Sequence, residues 1–195
     1  MLIYKNDELY YIFIHIPKNG GKHLRSKILK NDKNILIKSY WNIQSGLDLA
    51  HIPYVKKDLF IDNLNYNYFT YTRCPYNRII SSFFYKNPKK NINDFKYFIK
   101  NTLSTYNFSM DFDSSIIHYY PQYLFLCDEK LNIQNIKLYK LETESPRQYD
   151  LNKFLDQECI RIINQVYYKD FLHLDYKMIE TNFSKNSLHR INMIF

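Results

Sequence analysis

A chain of 195 residues with 46% hydrophobic and 18% aromatic content is long enough to fill one domain core, and its 3 glycines and 6 prolines exclude collagenous and linker-like architectures. The formal charge of +8 points to anionic partners. Cys74, Cys127 and Cys159 are odd in number and widely spaced, which excludes a disulfide framework and a C-x-x-C metal site and leaves reduced thiols as the expectation.

The run from Tyr10 to Ile16 is rich in aromatic and β-branched residues and reads as a strand. It is too short to span a bilayer and flows straight into Pro17, Lys18, Asn19, Gly20 and Gly21, so it does not read as a removable signal, and the expected location is the cytoplasm. A helical pattern starts near Lys22. Strand, tight loop and helix together make an anion-binding geometry: glycines without Cβ atoms, unpaired N–H groups at the helix start and the charge of Lys18. Taken alone, such a loop also reads as an ordinary surface turn. Leu24, Ile28 and Leu29 mark one face of the helix, with Lys22, Arg25, Lys27 and Lys30 mostly on the other. Asn31 to Asn34 end it, Ile35 to Ile37 form a short strand, and Trp41 in the loop that follows either stacks on a ligand ring or anchors the core.

Ser45 to Lys57, with Gly46, His51 and Pro53, reads as loop and short helix. Asn67 to Thr72 is a strand that delivers Arg73 to its C-terminal end, and Pro75 suits the first turn of a helix through Ile79, Ile80, Phe83 and Phe84. That places the Arg73 fork and the Ser81 hydroxyl where they can share one phosphate, a surface ion pair being the other reading of Arg73 taken alone, with Arg78 either a third contact or a solvated helix residue. Phe95, Phe98, Ile99 and Leu103 recur at helical spacing behind caps at Asn91 to Asp94. Ser104 to Ser115 is polar and reads as a lid, an acceptor loop or a solvated connection. Ile136 to Leu141 alternates as a strand, Leu151 to Leu155 and Ile160 to Phe171 are helical, and the tail from Thr181 packs on the body or frays.

Two stretches, His15-Ile-Pro-Lys-Asn-Gly-Gly21 and Arg73-Cys-Pro-Tyr-Asn-Arg-Ile-Ile-Ser81, resemble in order the two cofactor motifs of the sulfotransferases that use 3'-phosphoadenosine 5'-phosphosulfate (PAPS), in particular the heparan sulfate 2-O-sulfotransferase-like carbohydrate branch. The resemblance implies that Lys18, Asn19, Gly20, Gly21, Lys22 and His23 hold the 5'-phosphosulfate and that Arg73 and Ser81 hold the 3'-phosphate. It implies metal-independent transfer of a sulfuryl group to a hydroxyl acceptor, a carbohydrate first among them, with Lys18 and His51 as catalytic residues; a surface or capping role is the other reading of His51. His118 opens a His-x-x-Pro-Gln segment similar to one in the family and is a second candidate, for the acceptor site, unless it is a packed core histidine. Glu142 after the late strand and the segment from Tyr168 through Asp170 to Tyr176 are also similar, so the likeness spans residues 10 to 176. The implied fold is α/β, a P-loop-like three-layer sandwich with a central, mostly parallel sheet flanked by helices, in a single domain over 1 to 195.

Cys74 stands where the family has Asp or Asn, Lys22-His23 replace its Thr-Ser, and the membrane anchor usual in its animal members is absent. A P-loop kinase is the first rival, but Ile16 occupies the position of the first Walker glycine and His23 that of the Mg²⁺-binding hydroxyl. A non-catalytic binder of anionic ligands or nucleic acid is the second; no RNA-binding motif is recognisable, and no nucleic-acid partner is expected.

Overall fold

A computed structural model describes residues 2–6, 8–31, 35–38, 43–44, 47–59, 61, 65–144 and 148–181. Tyr40, Trp41, Gly46 and the tail beyond Thr181 lie outside the described residues, as do the side chains of Ile28 and Leu29.

The chain is α/β. Its main sheet has five strands: β1 (Leu2–Asn6), β2 (Leu9–Phe13), β3 (Ile35–Lys38), β6 (Tyr66–Thr72) and β7 (Lys137–Lys140), in the spatial order β3-β1-β2-β6-β7. A two-stranded pair, β4 (Ile43–Gln44) with β5 (Leu47–Asp48), stands apart from it. Pairing is parallel from β2 through β6 to β7, and antiparallel where β1 meets β2 and β3. The antiparallel part has a local cause: β1 and β2 are separated by two residues, a connection long enough only for a hairpin. Helices are α1 (Gly21–Asn31), α2 (Pro75–Lys86), α3 (Ile92–Asn101), the single turns α4 (Leu141–Glu144) and α5 (Leu151–Phe154), α6 (Gln157–Val166) and α7 (Tyr168–His173).

Period-two alternation continues past the end of β2, and residues 12 to 16 are buried on both faces. Ile12, Ile14 and Ile16 join Ile3, Ile52, Tyr120, Leu124, Phe125 and Leu126 in one core, whereas Phe13 and His15 stack on each other at 5.5 Å on the opposite face. A second core forms among the helices, with Ile79, Ile80 and Phe83 of α2 against Phe95, Phe98 and Ile99 of α3 and Ile160 and Ile163 of α6. Pro75 sits in the first turn of α2, and Asn91 with Asp94 makes a reciprocal capping box on α3, as the sequence suggests.

Three details differ from the sequence reading. Arg25 is buried at 3% exposed rather than on the solvated face of α1, because it lies one turn beyond Gly21, the face turned toward His15. Ser104 to Ser115 is not a free connection: Phe112 is buried and stacks on Tyr120 at 5.0 Å, and the Tyr120 hydroxyl accepts from the Asp113 N–H at 3.0 Å. The last strand stops at Lys140, and Leu141 already begins a helical turn. Among the described residues no helix is long and apolar enough to cross a membrane.

Candidate anion-binding site

The ends of β2 and β6 lie side by side, so the loops that follow them, Pro17–Gly20 and Arg73–Cys74, meet. Gly20 has φ +75°, and a Cβ there would stand 2.5 Å from Leu141 Cδ1; a Cβ at Gly21 would overlap the His15 ring. Lys18 also takes a left-handed backbone, φ 68°, an uncommon conformation for a residue with a Cβ. Helix α1 starts at Gly21; its His23 and Leu24 N–H groups donate to Gly20 O at 3.0 and 3.1 Å, and no described backbone bond uses those of Gly21 and Lys22 at the loop.

Buried polar side chains hold this loop. Asn19 is 2% exposed, and its amide donates to Tyr71 O and to Gln122 Oε1, both at 2.7 Å. Gln122, 0% exposed, also accepts from the Arg73 N–H at 2.9 Å and donates to Arg73 O at 2.8 Å. Asp170 accepts from the Gln122 and Tyr123 N–H groups, both at 2.8 Å; burial nonetheless pushes its carboxyl up to about 6, with Arg78 pulling the other way. Arg78 is neither a solvated residue nor an open ligand. Wholly buried, it donates from Nε to Pro17 O at 3.0 Å and from Nη1 to Tyr120 O at 2.7 Å. At the start of α2 the Cys74 N–H donates to Glu142 Oε1 at 2.8 Å, and Glu142 Oε2 accepts from the Tyr176 hydroxyl at 3.1 Å. Sequence segments around 15–21, 73–82, 118–122, 142 and 170–176 thus form one hydrogen-bonded unit.

The candidate ligands divide by exposure. Arg73, 9% exposed, donates from Nη1 to Lys18 O at 3.3 Å and lies over the Tyr149 ring at 5.8 Å. Lys18 is half-buried; desolvation first and the Arg73 charge second lower its ammonium to about 8, and its Nζ sits 3.9 Å from the centre of the Tyr85 ring. Lys22 and His23 are exposed in the first turn of α1. Ser81 is half-buried on α2, one turn after Asn77, whose Oδ1 accepts from the Tyr149 N–H at 2.8 Å; that row places the serine on the Arg73–Tyr149 side of the helix. Asn19 is the exception to the expected ligand set, because its amide braces the loop from beneath.

Three histidines gather beside the loop. The His15 and His51 rings are 4.3 Å apart and the His51 and His118 rings 5.6 Å apart. His51 Nδ1 is 2.7 Å from His15 O; a carbonyl only accepts, so Nδ1 carries the proton and Nε2 the lone pair. Burial lowers His51 to about 4, against the raising effects of that bond and of Asp48, whose Oδ2 stands 4.0 Å from Nε2. His118, lowered to about 3 by burial and then by His51, stacks on Tyr85 at 4.9 Å. His15 is held well below its usual range by burial. All three are neutral at pH 7. Gln122, Tyr85 and Arg25 join the site without having been assigned to it from sequence. Two faint signals exist for them: Gln122 lies in the His-x-x-Pro-Gln run, and Arg25 follows Gly21 by one helical turn.

Among the described residues no group of His, Cys, Asp and Glu side chains is arranged to hold a metal ion. The chain matches no protein-family model, no curated protein and no solved structure.

Proposed function

We propose that the chain transfers a sulfuryl group from PAPS to a hydroxyl acceptor, most readily a carbohydrate, in a P-loop-like three-layer fold and in the cytoplasm. The observation that carries this reading is the convergence of Lys18 and Arg73, two partly desolvated cations from separate strand ends, on a loop whose two glycines leave no room for a Cβ. Two cations and a helix start suit a ligand with two separated anionic groups. The residues fit such a donor: Lys18, Gly20, Gly21 and Lys22 toward the phosphosulfate, Arg73 and Ser81 toward the 3'-phosphate.

The donor supplies an activated sulfur. The acceptor oxygen forms the new S–O bond as the bond to the 5'-phosphate breaks and its electron pair leaves with the phosphate, while the acceptor proton passes to His51 Nε2. Nδ1 stays bonded to His15 O throughout, and Asp48 at 4.0 Å stabilises the imidazolium once formed. Because His51 is 2% exposed, an acceptor reaches it only after neighbouring side chains open. Lys18 neutralises charge gathering on the leaving oxygen, a role that positioning and electrostatics dominate.

The test is transfer of labelled sulfate from PAPS to a panel of glycans and small alcohols. Lys18→Ala is expected to lower turnover more than donor affinity. Near-normal turnover in that variant would reject the assignment, and phosphate transfer from ATP that requires Mg²⁺ would favour a kinase.

A further inference from the structure

We propose that Tyr85 is a positioning residue for Lys18, its ring face holding the Lys18 ammonium where the loop opens. The catalytic meaning of this contact rests on the sulfuryl-transfer reading; the contact itself does not.

Lys18 is oriented by its own backbone. With φ at 68° and its carbonyl taken by Arg73, the residue turns its side chain away from the strand ends and toward the last turn of α2. There the ammonium meets an electrostatic problem. Arg73 is close enough to repel it, and burial has removed part of its water. Lys18 takes part in none of the ion pairs among the described residues, so no carboxylate among those residues compensates it. What it finds is the Tyr85 ring, 3.9 Å from Nζ to the centroid, well inside the range in which the negative face of an aromatic ring attracts a cation. Tyr85 is itself 55% exposed, unusual for a large aromatic side chain beside a site, so packing in the core does not account for it. It is fixed instead by stacking with His118, 4.9 Å between centroids at an interplanar angle of 17°. Among the described residues the charged and titratable groups facing Lys18 are therefore Arg73, which repels it, and His118, which is neutral at pH 7, with the Tyr85 ring as the attractive contact.

An ammonium left to swing on four carbons would waste most orientations. A ring face limits it to one region yet releases it to a stronger anionic partner, because a cation–π contact is weaker than a charge-assisted hydrogen bond to a phosphate oxygen.

The experiment replaces Tyr85 with phenylalanine and with mono-, di- and trifluorinated phenylalanine, which weaken the ring's negative face step by step at nearly constant shape. The titration of Lys18 is read from the pH dependence of its acylation by acetic anhydride, which transfers acetyl to the neutral amine and releases acetate, with the modified site located by mass spectrometry. Tyr85→Phe is expected to keep the Lys18 midpoint of the natural protein, and the trifluorinated ring to lower it by about half a pH unit, with the other two in order between. A midpoint that stays constant across the series, with thermal stability unchanged, would overturn the proposal, since it would show that the ring only fills space. Labelling needs no nucleotide, so its outcome is separate from whether PAPS binds.

Discussion

Replacing Arg78 by methionine separates a residue that holds the site from one that touches the ligand. Methionine fills much of the same volume but donates nothing, so Pro17 O and Tyr120 O each lose a buried donor and Asp170 loses the cation that opposes its burial. Removing one member of such a buried charged group costs about 3 to 5 kcal/mol. The loss is expected to depend on pH. Asp170 already has its carboxyl raised to about 6, above the ordinary value, so its ionised form burdens the folded state at pH 8, and the burden shrinks as pH falls below about 6 and is gone only below the ordinary carboxylate value. Without Arg78 the carboxyl rises further, which makes the deficit larger at pH 8 than at pH 5. Urea unfolding of both proteins at the two pH values measures it. Arg78→Lys, which keeps the charge but not the fork, is expected to lose less, about 1 to 2 kcal/mol. Losses of less than 1 kcal/mol for the methionine variant at both pH values would mean that the loop does not depend on Arg78.

Gly21→Ala is expected to cost about 1 to 3 kcal/mol, because the new methyl group meets a His15 ring already packed between Phe13 and His51, and an unchanged melting temperature would show that α1 can move aside freely. His51→Ala is expected to reduce turnover by about a hundredfold to ten-thousandfold with nucleotide affinity retained. The neutral imidazole is the competent form and burial holds His51 at about 4, so activity should persist as pH drops from 7 to 5 and fall on an acidic limb near pH 4. A limb near the ordinary histidine value, or full turnover in the variant, would take the role from His51 and make His118 the next residue to replace.

Strand, loop and helix at 9–31 were legible in the sequence because three local signals agree there: β-branched and aromatic residues, then glycines, then helical periodicity. Pro75 and the Asn91–Asp94 box marked helix starts for the same reason. The antiparallel strand β1 was not legible, since five residues at the beginning of the chain carry too little pattern to separate a strand from a frayed end. Burial of Arg78 and Arg25 also escaped. Periodicity assigns arginine to the solvated side, and only tertiary contact, carbonyls of Pro17 and Tyr120 in one case and the His15 face in the other, reverses that. The proximity of His51 to His118 joins residues far apart in the chain, and no spacing rule encodes it.

Calorimetric titration with 3'-phosphoadenosine 5'-phosphate and with AMP tests the central claim most directly, because the two ligands differ only in the 3'-phosphate assigned to Arg73 and Ser81. The 3'-phosphorylated nucleotide is expected to bind at least about tenfold more tightly, and Arg73→Ala to erase most of that preference, since one charge-assisted contact is worth about 1.5 to 3 kcal/mol. Equal affinity for the two nucleotides in the natural protein would contradict the account.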